Sequence, residues 1–438
     1  MGVGNMIGAG IFILSGVAAA TQSGPAIVLS FIIAAVALTF VALAYAELGA
    51  SIGGCGGAYG YAYAAFGELA AWVIGWITVF AEGISVAAIA NGWSGYLNNA
   101  LTSVGIGLPQ FLTRGPGAGG FINLPAVLVI LVLMMALLAG IKQSVKFIWV
   151  VVAVKLLAIA IFIGIALFHV DPALWRPFMP YGWFSHTADG KTAGVLAGAA
   201  IVCFAYFGFQ RVSITAEEAQ NPQRDIPVGT LASLAICTAI YIAVAGLLTA
   251  IAPYATLNVS SPVAFALLQV GINWGSALVA AGVIVGLTST MLITYYGWTR
   301  TLFAMARDGL LPPFFYSIDS RTRVPVTTTI VCGIAAAALA GLVPLVDLAQ
   351  LVNACQLTVF AATCGGVIVL RLTRPEMKRP FKAPGGLIMP ILGVLSCGAL
   401  LSFLPLITVL RFLLLLSVGV AIYFGYAAGR MPSTATEA

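Results

Sequence analysis

Polar residues inside long apolar stretches mark the positions where this sequence could do chemistry. Lys155 lies within IWVVVAVKLLAIAIFIGI, an apolar run that reads as a helix. At 1.5 Å per residue the lysine lies roughly 13 Å from the nearer helix end, which makes snorkelling to water difficult. Its ammonium group must therefore contact acceptors inside the protein or lose its proton. We expect a functional cation here, with a purely structural buried cation as the alternative.

A second ionisable residue, Glu82, lies in the run WITVFAEGISVAAIANGW. Thr78, Glu82 and Ser85 follow the i, i+4, i+7 spacing that places side chains on one face of a helix. Such a narrow polar stripe faces a cavity or a partner helix rather than lipid. The carboxylate could contact a bound ligand or accept hydrogen bonds from a neighbouring helix, and the sequence does not separate these two interpretations.

Two glycine-containing segments interrupt runs that otherwise read as membrane-spanning helices. The first, NMIGAGIFILSG, places Gly8, Ala9 and Gly10 in the middle of the run, and the second, FAYFGFQR, places Gly208 among aromatic residues. Glycine weakens a helix by roughly 1 kcal/mol relative to alanine. Because irregular backbone at membrane depth is tolerated only where protein buries it or water reaches it, we expect both breaks to line one cavity.

The two breaks together indicate a type of ligand. A half-helix that begins at a break directs free N–H groups and a positive dipole end toward an anion, whereas unwound carbonyl groups attract a cation. A ligand with a carboxylate and an ammonium group on adjacent atoms satisfies both. An amino acid is therefore a ligand class that fits this pair of breaks.

The apolar composition indicates that the residues named above lie on membrane-spanning helices. Of the 438 residues, 61% are hydrophobic and only 7% are charged, with a mean hydropathy of +1.08. Soluble domains carry about 25% charged residues, so the composition predicts an all-α integral membrane protein. Apolar stretches long enough to cross the bilayer predict about twelve spans, near residues 1–21, 25–48, 68–98, 123–141, 147–168, 193–215, 228–252, 275–305, 327–345, 347–371, 386–403 and 405–427.

The breaks fall in the first and sixth of these spans. An offset of five spans is what an inverted repeat of five plus five helices produces. We therefore expect a first repeat over residues 1–168, a second over 193–371, two further spans over 386–427 and a cytoplasmic tail over 428–438.

The positive residues predict how the spans are oriented. Most of the 19 lysines and arginines fall on one side, and only Arg114, Arg176 and Lys191 lie clearly in loops on the other. Because short cytoplasmic loops are enriched in these residues, both termini are predicted to be cytoplasmic. The net charge of +6 then reflects membrane topology, and no nucleic-acid partner is expected.

Several other classes of protein fit the residues poorly. The 7 cysteines include no CxxC pair and read as small buried hydrophobic residues, while His169 and His186 have nothing nearby to complete a metal site. A membrane-embedded enzyme needs a metal cluster or an activated nucleophile, so we expect no metal and no catalytic residues. A channel would show a continuous polar lining, whereas the polar groups here are concentrated near the two breaks.

Several longer stretches resemble one known family. GAGIFILSG, SGPAIVLSFIIAAVALTFVALAYAELGA, GGAYGYAYAAFGELAAWVIGW, FAYFGFQRVSITAEEAQNPQRDIPVG, TRTLFAMARDGLLP and RPFKAPGGLIMPILG occur in this order across the chain. They resemble the amino acid–polyamine–organocation superfamily, and within it the cationic amino acid transporter family and its bacterial proton-coupled relatives. The resemblance implies a leucine-transporter-like fold with interrupted first and sixth helices, and no enzymatic activity.

The resemblance also implies roles for individual residues. The substrate carboxylate would meet backbone amides of Gly8, Ala9 and Gly10. Glu82 could pair with a cationic substrate side chain, and Thr294 would line the pocket and leave room for a long one. The α-ammonium group would meet four carbonyl groups, those of Ile7, Phe204, Ala205 and Phe207.

Lys155 matches the lysine that proton-coupled relatives carry where sodium-driven relatives hold an ion. Its ammonium group is expected between the first break and the hydroxyl groups of Thr288 and Ser289. A fixed cation there would repel Na⁺ at short range, so proton coupling is favoured over sodium coupling. Asn353 and Gln356 in the tenth span could bind the substrate or hydrogen-bond neighbouring helices.

We therefore expect a secondary active transporter in the cell (inner) membrane that moves neutral or cationic L-amino acids with protons by alternating access. An obligate exchanger and a transporter-like amino acid sensor are the alternatives. Expected partners are the amino acid, the lipid bilayer and a small accessory subunit, with no cofactor besides the transported proton. Two features depart from the family. Gln210, followed by Arg211, stands where an aspartate is usual, and the chain begins only 7 residues before Gly8, which a truncation or a misplaced start codon would explain.

Overall fold

The protein is an all-α membrane protein. The computed structural model describes residues 2–52, 57–103, 105–140, 145–186, 192–214, 221–317 and 324–428. Lys191, Cys55 and residues 429–438 of the predicted tail lie outside these ranges. The division into two inverted repeats stays a prediction.

Within the described residues, 7 helical stretches are long and apolar enough to cross a membrane, judged by length and composition. The first of them contains two predicted spans, because the chain turns at Gly24, where φ is 62°. Four shorter apolar helices supply the remaining spans. The long stretches are Gly10–Ser51, Glu68–Thr102, Trp149–Leu167, Gln223–Ile251, Asn273–Arg307, Leu345–Thr373 and Leu406–Ala427, and the short ones are Leu124–Leu138, Val195–Tyr206, Val326–Leu342 and Ile388–Ser402.

The helices follow the predicted order, so we number them as spans 1 to 12. Span 1 consists of Gly2–Met6, the π-helix Gly10–Leu14, Ser15–Ala18 and the π-helix Ala19–Ser23, and span 6 consists of Val195–Val202, the 3₁₀ helix Cys203–Tyr206 and Arg211–Ile214. The other spans are Ile27–Ser51, Glu68–Ser103, Leu124–Leu138, Val145–Leu167, Pro222–Ile251, Asn273–Arg307, Val326–Leu342, Leu345–Thr373, Ile388–Ser402 and Leu406–Ile422 with the π-helix Tyr423–Ala427.

The connections contain short helices and one small hairpin. Two α-helices, Gly57–Phe66 and Pro262–Gln269, precede spans 3 and 8. Strands Ser185–His186 and Thr192–Ala193 pair antiparallel between spans 5 and 6. The 3₁₀ turns are Gly24–Ala26, Gln110–Leu112, Pro116–Ala118, Pro172–Trp175, Tyr254–Thr256 and Pro313–Phe315.

Span 8 packs closely against spans 3 and 5 because small residues line the contacts. A Cβ at Gly282 would lie 2.7 Å from the Cβ of Ala158, and a Cβ at Gly83 would overlap the ring of Trp298. In the bilayer the hydrophobic effect does not drive helices together, so van der Waals contact at small residues is a main contribution to their association. These three spans therefore form a close-packed unit beside the interrupted helices.

A buried ion cluster joins the end of span 2 to the end of span 10. Glu47, 1% exposed, accepts a hydrogen bond from Arg371 Nε at 2.9 Å and lies 3.7 Å from Arg379 Nε. The backbone N–H of Ala383 also donates to this carboxylate at 2.8 Å. The cluster therefore fixes the segment between spans 10 and 11 to the core of the bundle.

We predict that Glu47→Ala destabilises the protein by about 3 to 5 kcal/mol, because it leaves two buried guanidinium groups without their carboxylate. Asp347→Ala is the matched control, since Asp347 pairs with Arg411 at 2.9 Å but both side chains are at least 38% exposed. That change should cost about 1 kcal/mol or less. Thermal unfolding in detergent measures both, and equal losses in the two variants would contradict the prediction.

Candidate functional site

The first span is interrupted where the sequence predicts. Helix Gly2–Met6 ends before Ile7, a π-helix follows at Gly10–Leu14, and α-helix resumes only at Ser15–Ala18. Because the first N–H groups of a helix have no partner within it, Gly8, Ala9 and Gly10 present backbone donors at this break. Anion binding by this segment stays a prediction.

The sixth span is interrupted as well. The 3₁₀ helix Cys203–Tyr206 ends at Phe207, and Gly208 takes a φ of 131°, a conformation that disfavours a side chain. The N–H of Gly208 donates to Gln210 Oε1 at 2.8 Å. Gln210 therefore stabilises the break locally.

The two breaks lie against each other. A Cβ at Gly10 would collide with the backbone of Ala205, and a Cβ at Gly208 would lie 2.9 Å from the carbonyl carbon of Asn5. The hydroxyl of Tyr241 in span 7 is 2.8 Å from the carbonyl oxygens of both Met6 and Ala205. Sequence reasoning missed Tyr241, although a tyrosine hydroxyl within an apolar run needs a buried partner.

Lys155 joins span 5 to the first break. Its amine lies 3.0 Å from the carbonyl oxygen of Gly4, 3.2 Å from that of Ile7 and 2.7 Å from Oγ1 of Thr290. The side chain is 2% exposed. The alkyl chain of Lys155 lies over Gly286, where an added Cβ would come within 2.8 Å of the lysine Cγ. The ammonium group thus has three acceptors inside the protein. The carbonyl of Ile7 belongs to the unwound segment, and the carbonyl of Gly4 belongs to the helix before it.

The hydroxyl partner of this amine differs from the prediction. Thr288 faces span 3, where its hydroxyl accepts a hydrogen bond from the Trp93 indole at 2.9 Å. Thr290 occupies the place that was predicted for Thr288 and Ser289. Since successive residues are 100° apart on a helix, an error of two residues turns the side chain to nearly the opposite face. The prediction for Thr288 is therefore wrong. Ser289 is buried on the same helix, and its role stays a prediction.

The breaks line a cavity of about 100 Å³. It reaches the short helix that precedes span 3, at Gly57 and Ala58. Several further residues complete the wall, among them Thr78, Ser85, Gln356 and Thr290. The cavity brings together most of the predicted substrate residues, namely Gly8, Ala9, Gly10, Phe204, Phe207, Glu82 and Thr294.

Other predicted contacts are engaged in the protein itself, including the carbonyl of Phe204, which accepts from the N–H of Phe207 at 3.3 Å. The carbonyl of Ile7 accepts from Lys155, and that of Ala205 accepts from Tyr241. Each carbonyl oxygen has a second lone pair that can accept another hydrogen bond. Binding of the substrate ammonium group at these carbonyls therefore stays a prediction. Asn353 donates to the carbonyl oxygens of Ala200 and Ile201, at 2.8 and 3.0 Å, and so hydrogen-bonds a neighbouring helix.

Glu82 forms an ion pair across the cavity wall. Its Oε1 lies 3.6 Å from Nη2 of Arg211, and Thr301 donates to Oε2 at 3.2 Å. A Cβ at Gly297 would lie 3.4 Å from Nη1 of Arg211, so this glycine leaves space for the pair. The polar stripe with Thr78 and Ser85 faces the cavity, and its carboxylate is balanced by a cation of the same chain.

Two interrupted helices that meet at a cavity within a membrane-spanning bundle are an arrangement typical of membrane transporters. Residues 1–425 match the family of amino acid permeases. The chain belongs to this family.

Several characterised proteins are similar over much of their length. The branched-chain amino acid permease BcaP of Bacillus subtilis (strain 168) is 40% identical, and the alignment covers 98% of this chain and 91% of the relative. The methylthioribose transporter of the same organism is 41% identical with the same coverage. The vacuolar cationic amino acid transporter 4 of Arabidopsis thaliana is 37% identical over 86% of this chain and 62% of the relative.

We predict that Gly10→Ala lowers the melting temperature, since the added methyl group overlaps the backbone of Ala205 and should cost about 1 to 3 kcal/mol. Gly8→Ala is the matched control in the same break. Its Cβ would lie 3.5 Å from Thr290 Cγ2, an ordinary contact, so its melting temperature should fall less. Equal melting temperatures for Gly10→Ala and the wild type would show that the two breaks do not pack as described.

Proposed function

We propose that this protein is a proton-coupled symporter of L-amino acids that works by alternating access. One observation carries the proposal: a buried lysine amine binds the backbone beside the first break, next to a cavity that both breaks line. Family membership supports transport as the activity. The proposal adds the ligand contacts and the coupled ion.

The substrate would bind through its backbone groups. Its carboxylate would accept hydrogen bonds from the N–H groups of Gly8, Ala9 and Gly10, where the dipole of the following helix favours a negative charge. Its ammonium group would contact carbonyl oxygens of Phe204 and Phe207, with those of Ile7 and Ala205 as further acceptors. Thr294 would line the space for the side chain.

Lys155 would couple this site to protons. An ammonium group there opposes a second cation by about 4 kcal/mol at 4 Å and an effective dielectric constant of 20, which disfavours sodium. The protonated amine would tether the first break to spans 5 and 8, and deprotonation would release it. Different proton affinities in the outward and inward states would then link the proton gradient to amino acid movement.

The proposal includes the membrane location, the orientation and the partners of the protein. The protein would lie in the cell (inner) membrane with both termini cytoplasmic, because most lysines and arginines fall on that side. A small accessory subunit would be an additional partner. No cofactor is required besides the transported proton.

The relatives' names cover three substrate classes: branched-chain amino acids, cationic amino acids and methylthioribose. Methylthioribose has neither a carboxylate nor an ammonium group, so it would not use the paired breaks as proposed. Thermal-shift measurements against twenty amino acids and methylthioribose separate these classes, because a ligand of the folded state raises the melting temperature. Stabilisation by methylthioribose alone would overturn the proposal.

We predict that Lys155→Ala abolishes accumulation of leucine driven by a pH gradient in proteoliposomes. With one proton per substrate, a gradient of one pH unit is worth about 1.4 kcal/mol and supports an about tenfold accumulation by the wild type. The variant should reach only equal concentrations on both sides, because it has lost the titrating tether. Exchange of labelled leucine for internal leucine should remain detectable and shows that the variant is folded.

Lys382→Ala is the control, since Lys382 is exposed in the segment between spans 10 and 11 and should leave accumulation unchanged. Gradient-driven accumulation by Lys155→Ala at the wild-type level would contradict the coupling role. Wild-type protein that needs internal amino acid for uptake would instead be an exchanger. Wild-type protein that binds leucine without moving it would be a sensor.

A further inference from the structure

We infer that Arg211 acts as a built-in counter-ion for Glu82 and thereby disfavours amino acids with a cationic side chain. The inference rests on the proposed amino acid transport and adds the side-chain class. It concerns a residue that lies just after the second break, at the start of the short helix Arg211–Ile214.

The guanidinium group of Arg211 occupies the position beside Glu82 that the charged group of a cationic substrate would take. Glu82 lines the cavity together with both breaks, and its carboxylate already lies 3.6 Å from Arg211 and 3.2 Å from the Thr301 hydroxyl. The guanidinium group also lines the cavity, and its Nη1 lies 3.5 Å from the carbonyl oxygen of Ile293. Arg211 therefore bridges span 6 to both spans 3 and 8.

The pair is enclosed but not sealed from the cavity. The side chains of Arg211 and Glu82 are 21% and 14% exposed, and both line the cavity. Gly297 provides room for them, because any side chain there would contact the guanidinium group. The pair is thus part of the cavity wall rather than of the close-packed core.

Electrostatics then determines which side chains fit. A lysine or arginine substrate would bring a second cation next to Arg211, and like charges in a poorly hydrated site repel strongly. An uncharged side chain meets a wall with no net charge. Selectivity here would come from a repulsive element as much as from attractive contacts.

Removing the guanidinium group should reverse this preference. In Arg211→Gln the carboxylate of Glu82 loses its cation within a largely buried wall, which is unfavourable until another cation replaces it. The terminal ammonium group of substrate lysine can provide that charge. The variant should therefore favour cationic substrates that the wild type rejects.

The test measures uptake of labelled leucine and labelled lysine in proteoliposomes, together with competition by excess unlabelled amino acid. For the wild type, lysine should compete poorly with leucine. For Arg211→Gln, the ratio of lysine uptake to leucine uptake should rise at least about tenfold. Arg211→Lys keeps the charge and should keep the wild-type ratio, while Arg211→Gln combined with Glu82→Gln removes both charges and should lose the gain.

Each result decides the inference. A wild type in which lysine competes as well as leucine overturns it, even if Arg211→Gln cannot be purified. An Arg211→Gln variant that slows both substrates equally also overturns it, because the pair would then only restrain movement of span 6. A wild type that takes up no amino acid contradicts the proposed function instead.

Discussion

The ammonium group of Lys155, bound to the carbonyl oxygens of Gly4 and Ile7, is the interaction on which the site depends. A break in a membrane helix exposes backbone groups that lipid cannot satisfy, so each must find a partner in the protein. Lys155 and the Tyr241 hydroxyl supply donors to the carbonyl groups of the first break and of the residues before it.

Close packing of small residues makes this arrangement possible. Gly286 leaves space for the stem of Lys155, and Gly10 lets the first break contact Ala205. The amine thus reaches span 1 from a close-packed unit of spans 3, 5 and 8. A tether between a rigid unit and an interrupted helix is suited to alternating access, because protonation can stabilise one arrangement of the two over the other.

Much of the fold could be predicted because its signals are local. Apolar length predicts the spans, and glycine within an apolar run, as at Gly8 and Gly208, predicts the breaks. Rotation of one helix relative to another is not a local property, which is why Thr288 was predicted where Thr290 lies. The partner of Glu82 was missed for the same reason: Arg211 is 129 positions away in sequence and meets it only in the folded bundle.

Proton coupling through Lys155 is tested most directly by proton movement during transport. Proteoliposomes would contain a pH indicator, with the membrane potential clamped to zero by potassium and valinomycin, and leucine would be added outside with or without sodium. Leucine entry is expected to acidify the interior to the same extent in both conditions. Leucine uptake without acidification, or uptake that requires sodium, contradicts a proton-coupling role for this lysine.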